Sequence, residues 1–167
     1  KVLVEISISI ALSLTLGMIR LYKMPQGGSV SLEILPILIM ALRHGGRIGV
    51  LTGTLVGLLQ LLIDPYIIHP AQVIMDYPLP FAMVGLAGYL REIPIHGIFV
   101  GIFGRFVVHV LSGVLFFASY APEGMSPWIY SISYNASYLI PEWILITIVI
   151  WLFIQKGGNI IGSRDNS

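Results

Sequence analysis

Long apolar runs separated by short polar turns occupy most of this chain, and they constrain its fold more than any motif does. A helix needs about 20 apolar residues to cross the hydrocarbon of a bilayer. Six stretches read as such spans, at about 2–22, 32–42, 46–63, 70–90, 95–119 and 127–154. The second contains Pro36 and reads as short or tilted. Only 10% of the 167 residues are charged, and mean hydropathy is +0.90. A soluble domain carries about 25% charged residues, so this chain lacks the charge to cover a water-facing surface. The expectation is an all-α, polytopic membrane protein: a six-transmembrane-helix bundle forming a single domain over 1–167. The first stretch is too long, and too free of a cleavage-like end, to read as a signal peptide.

Several function classes drop out. Net charge is +1 with no basic run, so nothing follows a nucleic-acid backbone. The absence of cysteine excludes disulfides, thiolate metal sites and a cysteine nucleophile. The four histidines are scattered and form no HExxH-like pair, so neither metal nor cofactor is expected. There is no G-x-S-x-G and no Walker loop, so the chain cannot power transport from ATP by itself. Inverted-repeat halves, common among secondary transporters, are not visible either.

Small residues mark where helices approach closely, because lipid supplies little hydrophobic drive and packing must hold the bundle. Ser7 and Ala11 form one ladder on the first span; Ser9, Ser13 and Gly17 form another. Internal packing and docking on a separate membrane subunit are both open for them. Gly45, Gly49, Gly53 and Gly57 recur every fourth residue and predict a smooth groove for a neighbouring helix. The Lys23–Ser31 loop, with Pro25 and the Gly27–Gly28 pair, favours tight turns. It reads as a connector, or as a backbone lid over a ligand.

The fourth span carries Asp76-Tyr77 followed by Pro78 and Pro80. Proline removes backbone donors, and a broken helix at membrane depth is tolerated where it lines a cavity or is buried in protein. An acid beside such a break is a candidate functional group; the alternative is a purely structural pair with Arg105. Helical spacing puts Arg105, His109, Ser112 and Phe116 on one stripe of the fifth span, and Asn135, Tyr138 and Glu142 on one face of the sixth. Tyr130 and Asn135 lie about 140° apart at ~100° per residue, so they share a ligand only if it wraps the helix end or the helix starts late. The sequon at Asn135 sits within an apolar span and is discounted. The tail from Gly157 is polar and reads as frayed.

With both ends inside, the inner side holds Lys1, Arg43, Arg47, Arg91, Lys156 and Arg164, against Arg20 and Lys23 outside. An excess of Lys and Arg marks the cytoplasmic side. This topology places the first loop, the Asp64–Pro70 loop and the Ala121–Ser126 turn together outside, at the end that carries Asp76 and Tyr130. The acids Asp76 and Glu142, His109, the tyrosines and Asn135 describe a site for a small, partly aromatic, possibly cationic molecule. Carboxylates pair with positive rings, aromatic faces attract cations, and asparagine presents a donor beside an acceptor. His109 alone reads equally as a buried structural histidine. The residues leave open transport-type binding and an intramembrane enzyme built on Asp76, His109 and Arg105.

Three pieces carry a resemblance: MPQGGSVS at 24–31, HPAQ with MDY at 69–77, and RFVVHVLSGVLFFASYAPEG through WIYSISYNASY. Over nearly its whole length the chain resembles the thiamine-specific S components, of the YuaJ/ThiT type, of energy-coupling factor transporters. The resemblance implies six helices with both ends cytosolic, in a bacterial cell membrane, and a high-affinity thiamine site near the outer face. It also implies partners: a transmembrane coupling subunit and two cytosolic ATPases, with no catalysis in this chain. It places thiamine contacts on Asp76 and Tyr77, where the best-known member has glutamate followed by tyrosine. Further contacts fall on Tyr66, on His109, on Phe117 where tryptophan is common, and on Tyr130 and Asn135. A first-loop tryptophan of some members has no counterpart in PQGGS. The pair that docks the coupling subunit falls on Ser7 and Ala11, with serine in place of the usual alanine. The same scaffold taking another vitamin or a thiamine precursor is the neighbouring reading.

Overall fold

Proline sets where most helices begin. A proline occupies the first or second position of α2 (Leu35–His44), α4 (Pro70–Asp76), α5 (Pro78–Val84), α6 (Pro94–Phe116) and α7 (Pro127–Gln155). There its missing N–H removes a donor that would have no helical partner anyway, and its fixed φ suits the helix. Two helices start without one, α1 (Val2–Met18) and α3 (Gly46–Ile63). The computed structural model describes residues 1–156; the tail expected to fray from Gly157 lies outside them.

Helices occupy all six expected stretches, with shifted ends. Four stretches, 46–63, 70–90, 94–116 and 127–155, are long and apolar enough to cross a membrane, and Val2–Met18 and Leu35–His44 are shorter apolar helices. The first helix stops at Met18 rather than Tyr22, because Leu21 turns into a two-stranded antiparallel ribbon. Its strands are β1 (Tyr22–Lys23) and β2 (Ser29–Val30), paired Tyr22 to Val30 and Lys23 to Ser29. The ribbon was not foreseen, although its turn residues were: Gly27 and Gly28 both sit at positive φ, 90° and 87°, the region that favours glycine. The second helix runs 35–44 rather than 32–42, and the fifth 94–116 rather than 95–119.

The fourth span is interrupted, as its prolines predict. Tyr77 leaves helical geometry at φ −113° and ψ −85°, and Pro78 starts α5 afresh. A 3₁₀ turn at Gly85–Leu90 completes the crossing. These pieces lie in the groove of α3. A methyl group on Gly53 would collide with the carbonyl of Phe81, and one on Gly57 with the carbonyl of Tyr77. Gly49 meets Gly85 and Ala41 in the same way. Gly45 departs from the expected ladder: at φ 90° it makes the turn between α2 and α3.

The core centres on α2, whose Ile37, Leu38, Ala41 and Leu42 are fully buried with Ile34, Val56, Val84, Ile98, Ile146 and Ile150 around them. Large apolar side chains cover the outside, among them Leu3, Leu12, Leu62, Phe103, Leu115, Ile132, Ile144 and Trp151. Such a surface suits lipid, where the drive for association comes from close packing. On α1 the two small-residue ladders separate. Ser9, Ser13 and Gly17 face inward, whereas Ser7 and Ala11 are exposed beside Val4 and Ile8.

Candidate substrate-binding site

The broken span, α6 and α7 converge on a cavity of about 230 Å³ beneath the ribbon. Asp76, Tyr77, His109, Tyr130, Asn135, Tyr66 and Phe117, all seven candidates, line it. Tyr130 and Asn135 share it despite their angular separation, because the cavity crosses the N-terminal end of α7.

The acid sits at the last position of α4. Its Oδ1 lies 3.6 Å from Nδ1 of His109, and its Oδ2 accepts from Nε2 of Gln72 at 2.6 Å. The structural pair with Arg105 is therefore not formed. Arg105 instead donates from Nε to His109 Nε2 at 3.4 Å, approaches Glu142 at 3.4 Å, and lies over the Phe81 ring at 4.8 Å. A guanidinium has no acceptor, so His109 Nε2 must accept, and the ring proton belongs on Nδ1, facing Asp76. Glu142 is fully buried and stands behind the cavity wall rather than in it.

The opposite wall is held just as closely. Asn135 Nδ2 donates to the Ser131 carbonyl at 2.9 Å, and its Oδ1 accepts from the Tyr138 hydroxyl at 2.9 Å. That oxygen keeps a second lone pair. Ser131 in turn donates to the Val110 carbonyl at 2.8 Å, and fills the space that a side chain on Gly113 would occupy. Gly113 thus lets α6 and α7 close at the depth of Asn135.

Aromatic rings form the mouth. Tyr66 stacks on Phe117 with centroids 6.0 Å apart and an interplanar angle of 21°. Its hydroxyl lies 3.0 Å from that of Tyr120, which raises the Tyr66 phenol above its ordinary value. The Tyr77 hydroxyl accepts from the Tyr66 N–H at 2.6 Å and donates to the Asp64 carbonyl at 3.0 Å. What Tyr77 offers the cavity is consequently its ring rather than its hydroxyl. The ribbon tip is tied across the opening by Tyr134, whose hydroxyl accepts from the Gln26 N–H and donates to the Gly27 carbonyl, each at 2.9 Å. The ring of Tyr138 lies so close to Gly28 that a methyl there would sit 2.7 Å from it.

Asp64 fastens the ribbon side to the end of α3. Its Oδ2 accepts from Arg20 at 2.7 Å and from Lys23 at 3.3 Å. The hydrogen bond from Arg20, followed by that from Lys23, outweighs desolvation and holds this carboxyl below the usual aspartate value. A depressed folded-state pKa contributes stability above the unfolded value, which is lost as pH falls through the folded one. Wild type should therefore exceed Asp64→Asn in thermal stability equally at pH 7 and pH 5. The gap should close only below about pH 3.9, the free aspartate value. Paired melting curves across that range check it.

Sequence reasoning missed Gln72, Phe81 and the buried Glu33, all of which line the cavity. Gln72 had a readable signal: it lies four residues before Asp76, on the same helix face. Glu33 had one too, as an acid at the edge of an apolar run.

The chain is similar to known proteins over nearly its whole length. The family model described as "Thiamine transporter protein (Thia_YuaJ)" matches residues 3–161. "Thiamine transporter ThiT" of Bacillus subtilis (strain 168) is 34% identical over 180 residues, covering 96% of this chain and 94% of that protein. The protein of the same name from Lacticaseibacillus paracasei is 25% identical over 152 residues, covering 79% and 76%. A solved structure of ThiT from Listeria monocytogenes superposes with a TM-score of 0.85 at 25% identity, covering 96% of this chain and 97% of that one. These relatives are transporters by name, not enzymes. A multi-pass helical membrane protein, this chain belongs to the Thia_YuaJ family of thiamine transporter proteins.

Proposed function

We propose that the chain is the substrate-capturing S component of an energy-coupling factor transporter, binding thiamine with high affinity in the cavity described above. One observation carries this reading: a half-buried carboxylate–histidine pair, an asparagine and an aromatic stack converge on one cavity. Asp76 supplies negative charge for the thiazolium or a hydrogen-bond acceptor for the aminopyrimidine. Tyr66 and Phe117 supply ring faces, which attract cations more strongly once desolvated. Asn135 and Tyr130 supply polar edges for the pyrimidine.

The Lys and Arg distribution supports a cavity that opens to the outside of the bacterial cell membrane, with both termini cytoplasmic. A chain without a nucleotide-binding motif needs an external energy source, which a transmembrane coupling subunit with two cytosolic ATPases would supply. The exposed Ser7–Ala11 ladder on α1 is the surface proposed to meet the coupling subunit, since small residues let helices approach.

Calorimetric titration of the detergent-purified protein with thiamine tests the reading, run beside pyrimidine-only and thiazole-only fragments. Tight one-to-one binding, with both fragments much weaker, is the expected result. No thiamine binding would overturn it. A competition series won by another vitamin or a precursor would reassign the substrate while leaving the scaffold.

A further inference from the structure

Gln72 is fully buried, and every hydrogen-bonding atom of its amide is in use. Its Nε2 donates to Asp76 Oδ2 at 2.6 Å and to the Tyr66 carbonyl at 3.1 Å, while its Oε1 accepts from the Ile68 N–H at 3.2 Å. The partners fix which way the amide points. Two of them only accept and the third only donates, so the flipped amide would set oxygen against oxygen and N–H against N–H.

This arrangement joins two parts of the site that the backbone leaves separate. Asp76 ends a helix of seven residues, just before the break at Tyr77. Tyr66 belongs to the preceding loop, and its ring stacks on Phe117 across the cavity mouth. The Tyr77 hydroxyl pins the same loop through Asp64 and Tyr66 without touching the carboxylate. Of the contacts to the Asp76 carboxylate, His109 reaches Oδ1 from α6, and Gln72 reaches Oδ2 while also holding the loop.

We infer that Gln72 is a positioning residue, which sets the Asp76 carboxylate and the Tyr66 loop in register so that charge and aromatic wall meet a cationic heteroaromatic ligand together. The inference rests on the proposed thiamine site. It deepens that reading by assigning the selection for a positively charged ring to a side chain that the ligand need not touch.

The test is a double-mutant cycle on the full-length, detergent-purified chain, titrated with thiamine and with a neutral analogue whose thiazolium is replaced by an uncharged ring. Gln72→Met keeps the length and removes all three bonds. It should weaken thiamine binding at least tenfold and the neutral analogue several-fold less, because that ligand feels only the shifted Tyr66 wall and not the displaced charge. In the Asp76→Asn background, the same change should cost several-fold less than in wild type, because residues acting as a unit are not additive and only the hold on the Tyr66 loop is left to lose. A merely structural role for Gln72 would weaken both ligands alike, and would give additive losses. Should Gln72→Met fail to fold, Gln72→Asn keeps an amide too short to span the loop and the acid, and is read through the same cycle. Wild type that binds thiamine, with Gln72→Met within twofold of it or additive losses in the cycle, overturns this inference alone. Wild type that does not bind thiamine overturns the site reading and this inference with it.

Discussion

Arg105→Met is expected to destabilise the folded chain by about 3–5 kcal/mol, the usual cost of leaving a buried charge without its partner. Arg105 is 5% exposed and Glu142 is 0% exposed, and their closest approach is 3.4 Å. Neither carboxylate oxygen of Glu142 has a side-chain hydrogen bond among the described residues, the Ser31 backbone is the other polar group beside it, and one oxygen of the buried Glu33 is unbonded as well. The guanidinium is thus the countercharge beside Glu142, and its stacking on Phe81 would be lost with it. The double variant Arg105→Met, Glu142→Leu should recover most of the loss, since well-packed apolar groups often replace a buried ion pair at no net cost. Chemical denaturation in detergent, followed by circular dichroism, measures both. A single variant within about 1 kcal/mol of wild type would show that the pair is dispensable.

Asp76→Asn is expected to weaken thiamine binding by about 1.5–3 kcal/mol, roughly 10- to 150-fold, the range for a hydrogen bond to a charged group. The substitution preserves shape and the acceptor that faces Gln72, while it removes the charge and the acceptor that faces His109. The melting temperature without ligand should move little by comparison. Titration of the variant beside wild type decides it: unchanged affinity would remove Asp76 from the site.

Much of the architecture was legible because a bilayer restricts the options. A backbone in hydrocarbon must satisfy itself, so apolar runs of span length read directly as helices. The glycine ladder of α3 announced its groove, and Pro78 announced the break beside Asp76. Several polar residues that line the cavity were legible for a related reason: polar side chains at membrane depth stand out against apolar neighbours, whereas Tyr66 and Phe117 were pointed to only by the family resemblance.

Pairing was harder to read than membership. Asp76 and Arg105 look like natural partners in sequence, yet His109, one turn from Arg105, stands between their chemistries, and Arg105 turns to Glu142. Three-dimensional proximity decided this, and one-letter charge does not encode it. The ribbon at 22–30 is too short for any periodic pattern, and the angular gap between Tyr130 and Asn135 ignored that a cavity can run over a helix end. Gln72 was passed over because its one signal, a place four residues before Asp76 on the same helix face, does not say what an uncharged amide bonds until its neighbours are known.

The contact between α3 and the broken span has a consequence for how such a chain can change. At Gly53 and Gly57 the neighbour is a carbonyl rather than a side chain. A clash with backbone cannot be relieved by trimming a second residue, so no compensating substitution exists on the opposite element. By the same token, α3 recognises the course of the span and not its sequence. Exposed positions on 70–90 such as Ile74 are free to vary without moving the element that carries them, whereas Phe81, Val84, Gly85 and Ala87 are held in the core. The scaffold thereby keeps location and specificity under separate control, and a lineage can retune what the cavity holds while inheriting where it stands.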